Sequence, residues 1–252
     1  MKNKSSNFWI NRYEKLGHTG WRDPIFYTYD QIERLALISE ELFQLNVVSD
    51  KVLDFGCGTG DFSKLLLKNG GKIWGYDLYV EPDIKHPNFK YIKNYTNIKS
   101  PDFQMDLILS VTVLDHILDD AEFKQELVNF RRVISDQGYL IMLEYAMDAP
   151  HNNNNKYQAF RTVDKWQQQL SVSGWKILSM KPIPHPLIAP SLGFSWYKNR
   201  FPVYLIGKAS RFFPLNPWFL SILKKYAAES FTKHGVGNVS NSPLKLICCQ
   251  PI

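Results

Sequence analysis

The spacing of apolar positions changes several times along the chain, and each change marks an element. Between Gln31 and Leu45, Ile32, Leu35, Ile38, Leu42 and Leu45 recur every three or four residues. That is the stripe of an amphipathic helix, with Asp30 placed to cap its start. At Lys51-Val-Leu-Asp-Phe55 the pattern becomes a short apolar run, which predicts a strand ending in Gly56-Cys-Gly58-Thr-Gly60. A helix over 61–69 follows, stopped by Gly70-Gly71. Further strands are predicted at 72–76, 89–93 and 105–111, the last (Met-Asp-Leu-Ile-Leu-Ser-Val) apolar enough to be central. Residues 119–134 read as a helix with Phe123, Leu127, Phe130 and Ile134 on its core side, acids in its first turn and Arg131-Arg132 in its last. A turn at 135–138 leads to a fifth strand over 139–144. After an Asn-rich loop at 152–155 come a helix over 163–173, a sixth strand over 175–180 and a seventh over 244–249.

Strands that alternate with helices predict an α/β fold, a parallel sheet covered by helices on both faces. Residues 184–243 break the alternation, being rich in proline and aromatic residues. They read as a cap inserted before the last strand, so the expected division is an N-terminal lid (1–50), a core (51–183 and 244–252) and an acceptor-binding cap (184–243). No run reaches the roughly 18 apolar residues of a spanning helix, and the first residues are polar, unlike a signal peptide. The expectation is a cytoplasmic protein with the membrane, if touched, met from its surface.

Charge sharpens the picture. The chain has 30 Lys and Arg against 24 Asp and Glu, and of these nine basic residues but only one acid, Glu229, lie from Lys181 onward. The excess therefore sits with the aromatic residues of the cap, as in Phe194-Ser-Trp196-Tyr197-Lys198-Asn-Arg200-Phe201. Such a segment suits an anionic partner: a phosphorylated acceptor, a membrane surface or nucleic acid. Three cysteines, one in the glycine loop and two adjacent at 248–249, match neither a disulfide framework nor a zinc site; no metal is expected.

The sharpest chemical signal is Val52-Leu-Asp54-Phe-Gly56-Cys57-Gly58-Thr-Gly60. Glycines between a strand and a helix let backbone approach a ligand, and the helix start offers free N–H groups. Asp77 ends the next strand, 17 residues beyond Gly60, where a carboxylate accepts hydrogen bonds from ribose hydroxyls. The spacing is Gly-x-Gly-x-Gly, and Asp54 precedes it. A carboxylate there is awkward beside a pyrophosphate and suited to the ammonium of an amino-acid-bearing nucleotide, which favours S-adenosylmethionine over NAD.

These segments, with Gly75-Tyr-Asp77, Val113-Leu-Asp-His116-Ile117 and Gly138-Tyr-Leu-Ile-Met-Leu-Glu144, resemble the class I S-adenosylmethionine-dependent methyltransferases, over about residues 50 to 182 and the final strand. The resemblance implies a Rossmann-like, seven-stranded sheet with its last strand antiparallel. It also implies S-adenosylmethionine as cofactor, across the carboxyl ends of the strands. Asp54, Gly56, Cys57 and Gly58 would line its methionine part, Asp77 and Leu78 its ribose, Asn94 or Tyr95 its adenine, and Ser110 and Val111 the sulfonium. Many relatives carry an acid where this chain has Asn94-Tyr95.

Phe8-Trp9-Ile-Asn-Arg12-Tyr13 resembles the N-terminal helix that folds over the cofactor in small-molecule methyltransferases, and aromatic faces suit a sulfonium cation. Tyr13, Trp21, Tyr27 and Tyr29 are the candidates, against a plain hydrophobic staple. For catalysis the candidates are His116 and Glu144 as general base, with Asp115; each has a structural alternative, a loop or turn held in place. The expected activity is methylation, O-methylation first, of a small-molecule, saccharide or lipid-linked acceptor carrying an apolar or sugar part and a phosphate. No Asn-Pro-Pro-Tyr-like motif follows the fourth strand, which argues against a nucleic-acid methyltransferase. Transfer of another group and a non-enzymatic cofactor-binding regulator stay open.

Overall fold

The computed structural model describes residues 2–18, 20, 24–47, 50–68, 70–96, 98, 103–150, 157–183 and 242–252. The proposed cap, apart from its last two residues, therefore lies outside the described residues, as does Trp21. The chain divides into two compact units, one of residues 1–18, 47–182 and 243–252, the other of 19–46 and 183–242.

The first unit opens with α1 (Lys2–Leu16) and then builds one sheet from β1 (Lys51–Phe55), β2 (Lys72–Tyr76), β3 (Phe89–Ile92), β4 (Met105–Val111), β5 (Ile134–Met147), β6 (Arg161–Thr162), β7 (Trp175–Pro182) and β8 (Leu244–Pro251). The strand order is β3-β2-β1-β4-β5-β8-β7, with β6 paired to β5 off this path. The strands from β3 to β5 run parallel, whereas β8 is antiparallel to both β5 and β7. The fold is thus the expected Rossmann-like α/β sheet with an antiparallel last strand. The two-residue β6 makes eight strands where seven were expected, because two residues carry no periodicity to read.

Burial explains the order. Val52, Leu53, Leu107, Ile108, Leu109, Leu140, Ile141 and Met142 are fully enclosed, as strands covered on both faces require. Around them lie α3 (Asp61–Lys68), α4 (Asp120–Val133) and α5 (Val163–Val172). Asp119 caps α4, accepting N–H bonds from Ala121 and Glu122, and Thr162 caps α5 through the Lys165 N–H. Phe123, Leu127 and Phe130 of α4 are buried on the sheet, together with Trp166 and Trp175. Both indoles are satisfied: Trp166 donates to the Tyr145 carbonyl and Trp175 to that of Leu127.

Two boundaries differ from expectation. The segment 135–138 is not a turn but the start of β5, whose Ile134 pairs with Met105 before a register shift. In the second unit the helix α2 spans Pro24–Gln44, so it begins at a proline that fits a first helical position. Asp30 lies inside it, beyond its first turn, and pairs with Arg34 one turn on, at 2.9 Å, so it is not at the position that caps the start.

Candidate active site

The chain leaves β1 toward β2 on one side and reaches β4 on the other, so a crevice opens at their carboxyl ends. Residues 56–60 turn there, with positive φ at Gly56 (72°), Gly58 (50°) and Gly60 (76°). At Gly56 the requirement is double, since a Cβ would overlap Val113 Cγ2 and stand 2.7 Å from Cγ1. The N–H groups of Gly56 and Cys57 donate to the Tyr76 carbonyl, tying this turn to the end of β2. Cys57 is buried against Gly75, a small filler.

Two carboxylates hold the turn. Asp54 is buried and accepts from Ser63 Oγ at 2.5 Å. Burial pushes its carboxyl up to about 6, with Asp77 and Asp61 adding to the rise. Asp77 accepts from the N–H groups of Gly58 (3.0 Å), Tyr79 (2.8 Å) and Val80 (3.0 Å), and burial raises it too. The cluster is therefore anionic, and a ligand bringing an ammonium group would relieve it. Beside it Leu78 is 69% exposed. Among the described residues, this backbone cradle with two carboxylates fits the amino-acid end and ribose of S-adenosylmethionine.

At the end of β3 the expectation splits. Asn94 is exposed, and its Oδ1 accepts from the N–H and hydroxyl of Thr96. Tyr95 is turned the other way: its ring is buried among Phe55, Tyr76 and Phe130, and its hydroxyl donates to Glu126. An adenine contact by the Tyr95 ring is thus corrected, because that ring completes the core.

At the end of β4, Ser110 is buried and Val111 half-buried. Thr112 then adopts φ 53°, rare for a β-branched residue, with its N–H on the Leu143 carbonyl. A short 3₁₀ turn follows, Leu114–His116. Glu144 anchors it. Its Oε1 accepts from Ser110 Oγ (3.1 Å), Val113 N–H (2.9 Å) and Leu114 N–H (3.0 Å), and Oε2 faces the Asp115 N–H at 3.4 Å. The side chain is fully enclosed, and burial with the nearby Asp115 charge pushes its carboxyl up to about 8. Glu144 is therefore corrected from a base facing the crevice to a buried anchor of the turn, with its lone pairs already engaged.

His116 differs. Its ring is one-fifth exposed; Nδ1 lies 2.7 Å from the Tyr157 carbonyl and Nε2 3.5 Å from Asp115 Oδ1. A carbonyl only accepts, so Nδ1 carries the hydrogen and the lone pair of the neutral ring belongs to Nε2. Asp115 is fully buried; Gln158 donates to its Oδ2 at 2.8 Å, while Oδ1 has no hydrogen-bond partner. On the other side α1 packs edge-on, with Trp9 4.6 Å from the His116 ring and Phe8 stacked 4.6 Å from Tyr157. The aromatic contacts of the N-terminal helix thus fall to Phe8 and Trp9. Tyr13 is half-buried on α1, and the Tyr29 side chain lies outside the described residues. At the end of the same stretch His18 senses Arg12 and Asp61, and burial is the main cause of its lowered pKa.

Sequence reasoning missed Gln158 and Arg161, which hold the turn from outside. They stand about 40 residues away in the chain, and no motif marks them.

A family model described as a methyltransferase domain matches residues 27–177, more than half of the chain. An uncharacterised methyltransferase of Oceanobacillus iheyensis is 26% identical over 164 residues, 61% of this chain and 71% of that protein. A ubiquinone biosynthesis O-methyltransferase of Hydrogenovibrio crunogenus is 25% identical over 124 residues, 44% of this chain and 51% of that one. Among solved structures, the 1,6-didemethyltoxoflavin-N1-methyltransferase of Burkholderia thailandensis, bound to 1,6-didemethyltoxoflavin and S-adenosylhomocysteine, superimposes with a TM-score of 0.57. It is 16% identical, with 71% of this chain and 80% of that one covered.

Proposed function

The chain belongs to the methyltransferase-domain family, with S-adenosylmethionine as its cofactor, and from that premise we propose that it methylates a hydroxyl oxygen of a small-molecule acceptor. When bound, the cofactor supplies a methyl group on a sulfonium, already activated for in-line displacement. Asp54 and the backbone of Gly56 to Gly60 hold its amino-acid end, and Asp77 with Leu78 holds the ribose. Ser110, expected near the sulfonium, is enclosed on Glu144, so of that pair the half-buried Val111 would line the reacting side, where exclusion of water and alignment of the two reactants supply most of the acceleration, up to about 7–11 kcal/mol.

The observation that carries the oxygen reading is the arrangement of His116. Its Nε2 is the lone-pair nitrogen, on a ring that reaches the surface, and the buried Asp115 Oδ1 stands 3.5 Å from it with no hydrogen-bond partner among the described residues. A proton taken at Nε2 would be stabilised by that carboxylate. A hydroxyl of high pKa needs such a base, whereas an amine needs only to be unprotonated. The similarity to an O-methyltransferase supports the same choice. The acceptor's class rests on residues 184–243, whose basic and aromatic composition favours a saccharide or lipid-linked acceptor with a phosphate; no helix among the described residues is long and apolar enough to cross a membrane.

The test is a methyl-transfer screen across sugar, lipid and phenolic hydroxyls with matched amines. His116→Gln should lower turnover on hydroxyl acceptors about a hundredfold or more while S-adenosylhomocysteine affinity stays unchanged. Transfer confined to amines and indifferent to His116 would overturn the oxygen reading.

A further inference from the structure

Four residues of one short segment grip the turn that carries His116. The Tyr157 carbonyl accepts from His116 Nδ1, Gln158 donates to the Asp115 carboxylate, and the Ala159 N–H donates to the Asp115 carbonyl at 2.6 Å. The buried Arg161 completes the set: Nη2 donates to the Ile117 carbonyl (2.7 Å), Nη1 reaches the Leu114 carbonyl (3.4 Å) and Nε donates to Asp120 (3.0 Å). Its guanidinium lies 4.0 Å from the centre of the Phe123 ring, and β6 pairing with Ala146 and Met147 of β5 fixes its backbone. Glu144 takes the N–H groups of the same turn from inside. The buried Glu144 carboxyl therefore accepts from the backbone donors of this turn, and the buried Arg161 guanidinium donates to its backbone acceptors.

We propose that Arg161 is a positioning residue for both cofactor and acceptor: by bridging the Leu114 and Ile117 carbonyls it sets where Val113 meets Gly56 and where His116 presents Nε2. The first half follows from the contact of Val113 with the glycine loop, which leaves no room for the turn to shift toward it. The second half rests on the methyl-transfer reading above. A planar fork spans two carbonyls at once; a lysine ammonium at the same depth carries the same charge without that span.

The experiment uses the full chain and Arg161→Lys, which keeps the buried positive charge opposite Asp115, Asp120 and Glu144. Hydrogen exchange at residues 113–117 and calorimetric titration with S-adenosylhomocysteine are measured well below the melting temperature. The expected result is exchange at 113–117 faster by about tenfold or more, with β1 and β4 amides unchanged, and an affinity at least about fivefold weaker. Unchanged exchange and affinity would overturn the proposal. So would faster exchange spread evenly over the sheet with affinity intact, because that marks a purely structural arginine. Should Arg161→Lys fail to fold, Asp120→Asn, which weakens the Nε contact and the Lys165 ion pair but leaves Nη1 and Nη2 on their carbonyls, is expected to give a smaller change of the same local kind, and no local change would overturn it. If the unaltered chain does not bind S-adenosylhomocysteine, the cofactor assignment falls, and the exchange pattern still decides the role of Arg161 in holding the turn.

Discussion

Val113 fills the space in which Gly56 would carry a side chain, with Cγ1 2.7 Å from where that Cβ would stand. The glycine loop and the turn bearing His116 are thus packed backbone to side chain, and Gly56 also needs its φ of 72°. Gly56→Ala should weaken S-adenosylhomocysteine binding at least tenfold, since left-handed backbone alone costs about 1–2 kcal/mol for alanine. Adding Val113→Ala should recover part of the loss. Calorimetry showing normal affinity in the single variant would mean that the loop does not cradle the cofactor.

Asp77 joins the ends of β1 and β2 through Gly58, Tyr79 and Val80. Asp77→Ala should weaken cofactor binding by roughly 1.5–3 kcal/mol, the usual value of hydrogen bonds to a charged partner. Tighter binding of NAD than of S-adenosylmethionine would contradict the assignment outright.

Cofactor affinity should depend on pH through Asp54, whose carboxyl sits at about 6. An ammonium partner favours the ionised form, so below pH 6 binding first requires loss of a proton. Affinity should therefore fall toward tenfold per pH unit as pH drops below 6 and level off above about 7. In Asp54→Asn the curve should be flat and low. A flat curve in the unaltered chain would place the ammonium elsewhere.

Stability should respond to Glu144 in the opposite sense to an ordinary salt-bridged acid. Its carboxyl is raised from 4.5 to about 8, so between those values the unfolded chain has released a proton that the folded one retains. Folding therefore loses stability as pH rises from about 5 to 8, by up to a few kcal/mol. In Glu144→Gln that slope should shrink, so the variant gains relative to the unaltered chain as pH rises. Denaturant titrations at pH 5.5 and 8.5 with the same difference between the two proteins would exclude a retained proton.

The sequence by itself determined the sheet, because each central strand is an apolar run bounded by polar turns, and solvent exclusion on both faces leaves few other uses for Met105 to Val111 or Tyr139 to Leu143. It determined the glycine loop at the carboxyl end of β1 for a related reason. Gly56, Gly58, Asp54 and Asp77 act through backbone conformation and charge at strand ends, and both are local properties. What only the tertiary structure decided is the direction of each polar side chain at those ends. Glu144 and His116 are equally polar residues beside the same crevice, yet one meets a hydroxyl and two N–H groups in the interior and the other reaches the surface. Tyr95 and Asn94 are neighbours, yet the Tyr95 ring completes an aromatic cluster while Asn94 closes its own turn. Arg161 and Gln158 reach Asp115 and its neighbours across some 40 residues, a distance at which spacing carries no signal. A side chain's direction is set by which buried donors and acceptors lack partners once the chain has packed, and that count exists only in three dimensions.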